Sequence, residues 1–167
     1  VERIIADLDD VRLATPVKSV LRDADGVWLG LPGGECERFD HVVLACHSDQ
    51  ALGLLADPSA AEREVLDAIP YQANETVLHT DVRLLPRRRL AWAAWNYHVR
   101  PDGGPVALTY NMNILQRLDA PTPFLVTLNH TDAIDPDRVI KRITYHHPLY
   151  TPASVAAQAR HREIDGA

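Results

Sequence analysis

The sequence has little of what usually decides a protein's class at a glance. It carries two cysteines in 167 residues, Cys36 and Cys46. Cys36 falls in a turn pattern and Cys46 at the end of an apolar run, so no disulfide is expected between them, and a reduced, cytoplasmic setting fits. No apolar run approaches the roughly 18 residues that span a bilayer, so no transmembrane helix is expected. The opening residues Val1-Glu-Arg-Ile lack the basic-then-apolar order of a signal peptide. Eight histidines are present, yet there is no His-Glu-x-x-His and no paired Cys-x-x-Cys, and the adjacent His146 and His147 would point to opposite faces of a strand, so no metal site is expected. A Gly-x-Ser-x-Gly elbow is missing too, which leaves Ser48 after His47 without a hydrolase reading. Positive charge is scarce: 17 basic residues against 23 acidic give a net charge of -6, which argues against general nucleic-acid binding. The one basic cluster, Pro86-Arg-Arg-Arg89, reads as a solvated turn rather than a phosphate site.

What is present points to a globular domain. Hydrophobic residues make up 46% of the chain, enough for a sizeable core at this length. The most ordered stretch runs from Phe39 through Leu55. An acidic residue, Asp40, precedes the apolar run Val42-Val43-Leu44-Ala45, whose continuity suits a strand buried on both faces. Cys46 and His47 follow, and Ser48 or Asp49 can cap a helix with Leu52 and Leu55 on its inner face. A buried strand, a sharp exit and a helix are where ligands sit in open sheets; a plain core strand without a ligand has the same appearance.

Ahead of that stretch, three short strands joined by turns form an antiparallel meander. Pro16 marks an edge before Val17 and Val20, Asp23-Ala-Asp-Gly26 turns, Val27-Trp-Leu-Gly-Leu31 is a strand, Pro32-Gly-Gly-Glu35 turns again, and residues 37–40 lead onward. Beyond it, Ser59 and Glu62 read as a capping box that opens a helix ending at Pro70. Residues 74–80 make a strand with Thr76, Leu78 and Thr80 on one face and Val77 and His79 on the other. Strands at 90–99 and 106–113 form a hairpin across Pro101-Asp-Gly-Gly-Pro105. Further strands fall at 124–129 and 139–147, and an alanine-rich helix with proline in its first turn covers 152–162. The class is α+β: a small antiparallel meander plus a larger, mainly antiparallel sheet with flanking helices.

The hairpin has the most unusual composition. Period-two alternation puts Trp92 and Asn96 on one face and Trp95 and Tyr97 on the other. Its partner strand puts Asn111 and Asn113 on one side and Tyr110 and Met112 on the other. An apolar wall with a few amides is what a small-molecule pocket needs. An ordinary sheet core, whose amides bond backbone at strand ends, fits the same pattern.

Taken in order, Thr15-Pro-Val-Lys-Ser-Val20, Asp25-Gly-Val-Trp-Leu29 and Phe39-Asp-His-Val-Val-Leu-Ala-Cys-His47 resemble the middle of a flavin-dependent amine oxidase. Leu78-His-Thr-Asp81, Ala91-Trp-Ala-Ala-Trp-Asn-Tyr97, Thr109-Tyr-Asn-Met-Asn113, Val126-Thr-Leu-Asn129 and His147-Pro-x-Tyr150 resemble a bacterial subgroup described as NAD/FAD-binding oxidoreductases. The resemblance covers nearly the whole chain.

It implies an internal piece of an FAD-dependent oxidoreductase that takes hydride from an organic substrate. Residues 1–47 would be the flavin-side meander and buried strand, 48–152 the substrate-side sheet and helices, and 153–167 a helix returning to the flavin side. In such proteins the valine at Val17 holds the flavin's adenine through its backbone, and the strand ending at Ala45 and Cys46 passes near the dinucleotide. The substrate pocket would draw on Trp92, Trp95, Asn96, Tyr97, Asn111 and Asn113. No residue stands out as an acid or base. The family's Gly-x-Gly-x-x-Gly is absent from this sequence, as is its second flavin segment, so the piece is not expected to hold FAD alone. Its expected partners are a small-molecule substrate, the remaining parts of the parent chain, and a second copy through an uncovered face. The alternative is a non-catalytic small-molecule-binding or interaction domain.

Overall fold

The computed structural model describes residues 2–99 and 106–165. The chain divides into two compact units, Val1–Pro70 with Leu149–Ala167, and Tyr71–Pro148. The architecture is α+β, with a three-stranded and a five-stranded antiparallel sheet.

The first unit opens with a short helix, α1 (Glu2–Ile5), and continues into the meander, β1 (Ser19–Asp23), β2 (Gly26–Gly30) and β3 (Cys36–Phe39), in that spatial order. One carboxylate organises the first turn: Asp23 accepts hydrogen bonds from the backbone N–H of Asp25 (2.8 Å) and Gly26 (3.1 Å) and from Trp28 Nε1 (2.7 Å). Gly26 is required there. Its φ is 148° and a Cβ would lie 2.6 Å from the Phe39 carbonyl oxygen.

Two helices follow, α2 (Ser48–Leu54) and α3 (Ala60–Asp67). The expected capping box opens α3: Ser59 Oγ accepts from the Glu62 N–H (3.1 Å) and Glu62 Oε2 accepts from the Ser59 N–H (2.7 Å). Glu62 also reaches the meander, accepting from Arg22 Nη1 (2.6 Å) and Nη2 (3.0 Å). The Ala56 N–H donates to the Val20 carbonyl (2.8 Å), so the end of α2 is laced to β1 as well.

The run 42–45 departs from expectation. It forms no strand and pairs with none among the described residues, and Val43 is 89% exposed. Exposure alternates along it, with Val42 and Leu44 half-buried and Val43 and Ala45 open. Cys46 is exposed as well, and both cysteines are free. Composition can make a segment fit for a sheet centre, but a strand forms only where a neighbour supplies the other half of each backbone hydrogen bond.

The second unit is the larger sheet: β4 (Tyr71–His79), β5 (Trp95–His98), β6 (Ala107–Asn111), a short helix α4 (Met112–Gln116), β7 (Leu125–Leu128) and β8 (Val139–Pro148). Its order is β5-β6-β7-β4-β8. The expected hairpin turn at 101–105 lies outside the described residues. Register sorts the sheet into two unlike faces. Asn96, Thr109, Thr127 and Val77 line up in one row, and Trp95, Tyr110, Val126 and Leu78 in the neighbouring row on the opposite face. The first face is closed: Val77, Ala107, Thr109, Leu125, Thr127 and His79 are fully buried. Val77 joins Leu84 and Ile134, with Val139 against them, in an apolar cluster.

Both hairpin strands are shorter than the composition suggested. Trp92 follows a 3-10 turn (Arg89–Ala91) and donates from Nε1 to the Pro86 carbonyl (2.8 Å), with the Arg89 guanidinium over its ring. It is not on β5 and shares no strand face with Asn96. The partner strand ends at Asn111 because that side chain caps α4, accepting from the Ile114 N–H (3.3 Å). Asn113 therefore sits in a helix, not on a strand.

The closing helix α5 (Pro152–Gln158) belongs to the first unit and is capped by Thr151, whose Oγ1 accepts from the Ser154 N–H (3.0 Å). Among the described residues, no helix is long and apolar enough to cross a membrane.

Candidate functional site

Each unit carries one feature able to meet a ligand. In the first unit it is main chain that makes no hydrogen bond among the described residues. The Lys18 N–H donates to the Gly30 carbonyl (2.8 Å), which fixes the peptide after Val17 as an extension of the meander. Val17 itself is half-buried, and its own N–H and carbonyl make no hydrogen bond among the described residues. The same holds for the backbone of residues 42–46. Unpaired N–H and C=O groups held in place are ready to be matched by a polar ligand edge or by another strand.

Beside the run 42–45 lies a cleft of about 790 Å³, lined by Val20, Val27, Val42, Leu44, Leu55 and Leu66 with Arg22, Glu62, Asp40 and His41 at its polar parts. Val17, Ala45 and Cys46 are not among its lining residues. The Arg22–Glu62 pair sets the charge there. Hydrogen bonds from Arg22, more than those from Ser59, hold the Glu62 carboxyl down at about 2 against its burial. It remains an anion at any neutral pH.

In the second unit the feature is the open face of the sheet. Trp95 and Tyr97 are 61% and 62% exposed, and Trp95 packs edge-on against Tyr110 across the strand pair with ring centroids 5.2 Å apart. Val126, Leu128, Leu108 and Leu78, all half-buried, extend this apolar surface over β7, β6 and β4. The three asparagines take no part in it. Asn96 is buried, donating to the Ala93 (2.8 Å) and Thr109 (3.1 Å) carbonyls and accepting from the Ala93 N–H (3.3 Å). Asn111 is the helix cap, and Asn113 ties down the chain before β7 through Ala120, Thr122 and Phe124. Their amides are spent on backbone, as buried amides usually are.

Two polar constellations escaped the reading of the sequence. Asp81, buried at the end of β4, accepts from Arg83 Nε (2.9 Å) and Nη2 (2.5 Å) and from the Asp135 N–H (2.9 Å). These bonds, led by Arg83, hold its carboxyl far below the usual range. The second is a row of polar side chains across four strands, buried except for the half-buried His98: His79 Nε2 to Thr127 Oγ1 (2.7 Å), Thr127 to Thr109 (2.8 Å between hydroxyls), and Thr109 Oγ1 to His98 Nε2 (2.8 Å). His98 in turn stacks on His130, 5.4 Å between centroids. The only sequence signal was placement: each of these residues has the parity of the buried face. Among the described residues, no group of three or more His, Cys, Asp or Glu side chains could hold a metal ion.

Comparison with known proteins gives the context. A family model described as flavin containing amine oxidoreductase matches residues 1–101. No curated protein matches the chain. Solved structures do. A CLA-producing fatty acid isomerase from P. acnes is 17% identical with a TM-score of 0.57, the match covering 99% of this chain and 43% of that one. A protein assigned as protoporphyrinogen oxidase from Exiguobacterium sp. 255-15 is 17% identical with a TM-score of 0.58, covering 97% and 42%. This chain thus spans less than half the length of either, and the likeness is one of fold.

Proposed function

The chain belongs to the flavin-containing amine oxidoreductase family, and from that premise we infer that it is an internal part of an oxidoreductase that moves hydride from a carbon of an organic substrate to FAD. When bound, the flavin supplies the hydride acceptor, at its N5. The chain's own residues bind and enclose. Val17 offers its main-chain N–H and carbonyl to the adenine, and the backbone at Ala45 and Cys46 runs beside the dinucleotide. The open aromatic face, with Trp95 and Tyr97 foremost, walls the substrate and keeps water from it. A wall of this composition suits an apolar organic substrate. The free, exposed cysteines are in keeping with a reducing, cytoplasmic setting.

One observation carries the reading. In a chain of this family, the Val17 N–H and carbonyl make no hydrogen bond among the described residues, while the N–H of Lys18 is pinned to Gly30. That is the geometry a fixed adenine contact needs, since the donor and acceptor are already oriented and cost little further ordering.

The test compares Val17→Pro with Val17→Ala in the full-length protein. Proline deletes the donor; alanine keeps the backbone. Losing one neutral hydrogen bond costs about 0.5–1.5 kcal/mol, so flavin retained after gel filtration, read from its absorption band, should fall several-fold for the proline variant only. Equal retention in two folded variants refutes the contact.

A further inference from the structure

The row His79–Thr127–Thr109–His98 has a direction that can be read from its ends. At one end the Asp81 backbone N–H donates to His79 Nδ1 (3.1 Å). A nitrogen that accepts has no hydrogen of its own, so neutral His79 carries its hydrogen on Nε2 and donates to Thr127 Oγ1. Each threonine hydroxyl has one hydrogen to give. With its oxygen facing the His79 donor, Thr127 gives its hydrogen to Thr109, and Thr109 gives its own to His98 Nε2. His98 must then hold its hydrogen on Nδ1.

We propose that this row is a one-way hydrogen-bond lock that fixes His98 as a neutral ring with its hydrogen on Nδ1, set from Asp81 across four strands of the sheet. The lock follows from burial. His79, Thr109 and Thr127 are fully inaccessible, so no water can take or supply a hydrogen bond within the row. A hydrogen added to His98 Nε2 turns that nitrogen from acceptor to donor. Thr109 must then redirect its hydrogen to Thr127, and Thr127 its own to His79 Nε2. His79 would need its hydrogen on Nδ1, against the Asp81 N–H. If the row does not reverse, one hydroxyl hydrogen is left buried without an acceptor. Each outcome forfeits a buried hydrogen bond. The proton comes from solvent and stays on His98; the hydroxyls only rotate, and no proton crosses the row.

The charged and titratable groups facing the row agree with this. His130 stacks on His98 from the turn after β7, and Asp81 with its partner Arg83 stands beside His79. Burial, then the neighbouring His130, push His98 below the ordinary histidine value. The row thus ends in a half-buried N–H donor at His98 Nδ1, kept neutral on the acid side of neutrality. That edge has no partner among the described residues, so the lock prepares it to donate to a ligand acceptor.

Nitrogen NMR of the imidazoles tests the proposal directly in the 167-residue chain. The expected result is His79 with its hydrogen on Nε2 and His98 with its hydrogen on Nδ1; any other pair overturns it without a variant being needed. Two near-isosteric substitutions then test transmission. His79→Gln accepts from Asp81 and donates to Thr127, so His98 keeps its tautomer. His79→Glu, read above its own titration, accepts from both neighbours and reverses the row, so His98 moves its hydrogen to Nε2. Its titration midpoint should rise by about one pH unit. A merely structural role for the threonines predicts no tautomer change three hydrogen bonds away, and an unchanged His98 in folded His79→Glu refutes the lock.

Discussion

Acid should loosen the second unit through His79. The side chain is fully buried, and burial drops its pKa from 6.5 to about 4, with nearby Asp81 opposing the shift. Between those values the unfolded chain binds the proton and the folded chain does not, so stability falls as pH falls through that window. Above 6.5 both states are neutral and below about 4 both are charged, so His79 adds no slope in either range. At about 1.4 kcal/mol per unit the full loss is about 3 kcal/mol. The residue responsible is testable with His79→Gln, which keeps a donor toward Thr127 and cannot titrate. Urea unfolding followed by tryptophan fluorescence is the assay. Trp92 and Trp95 report on the second unit, and Trp28→Phe in both proteins removes the first unit's signal. Wild type should lose most of that 3 kcal/mol between pH 7 and 4 while the variant stays nearly flat. Parallel slopes would show that His79 is charged in the fold or that another group governs the acid limb.

Other outcomes follow from the same structure. Arg22→Met leaves the buried Glu62 anion without its main partner and should cost about 3–5 kcal/mol, with much of it recovered by adding Glu62→Leu; equal stability of the single variant would mean that water reaches the pair. The 167-residue chain purified alone should be colourless, because it lacks the family's Gly-x-Gly-x-x-Gly, and a flavin absorption band surviving dialysis would overturn the expectation that it does not hold FAD alone. Its open aromatic face should drive self-association by light scattering, abolished by the double change Trp95→Ser and Tyr97→Ser; association that persists unchanged would move the contact to another surface.

How far could the bare sequence be trusted? It determined local events, where the physics is local. Asp23 and Gly26 make their turn because a carboxylate two residues back can reach the turn's N–H groups and only glycine tolerates that φ. Ser59 and Glu62 cap a helix because both partners lie within one turn of it. The antiparallel meander, the larger sheet and the α+β class were legible from alternation and turn chemistry; the strand expected at 42–45 was not formed. The parity that sets Trp95 and Tyr97 on the face opposite Asn96 was legible too.

Tertiary structure decided everything that depends on a partner distant in sequence. The run 42–45 has the composition of a buried strand, yet pairing is supplied by neighbours, and no strand pairs with it among the described residues. Trp92 and Asn111 are a different case: each bonds a backbone group only six or three residues away, in Pro86 and Ile114, and that local bond displaced the strand that alternation alone suggests. Most clearly, His79, His98, Thr109 and Thr127 lie on four different strands, β4, β5, β6 and β7, and the first and last are 48 positions apart in the chain. Only strand order and register put them in one row. A hydrogen bond forms at about 3 Å, and no pattern along a sequence specifies that distance between residues 79 and 127.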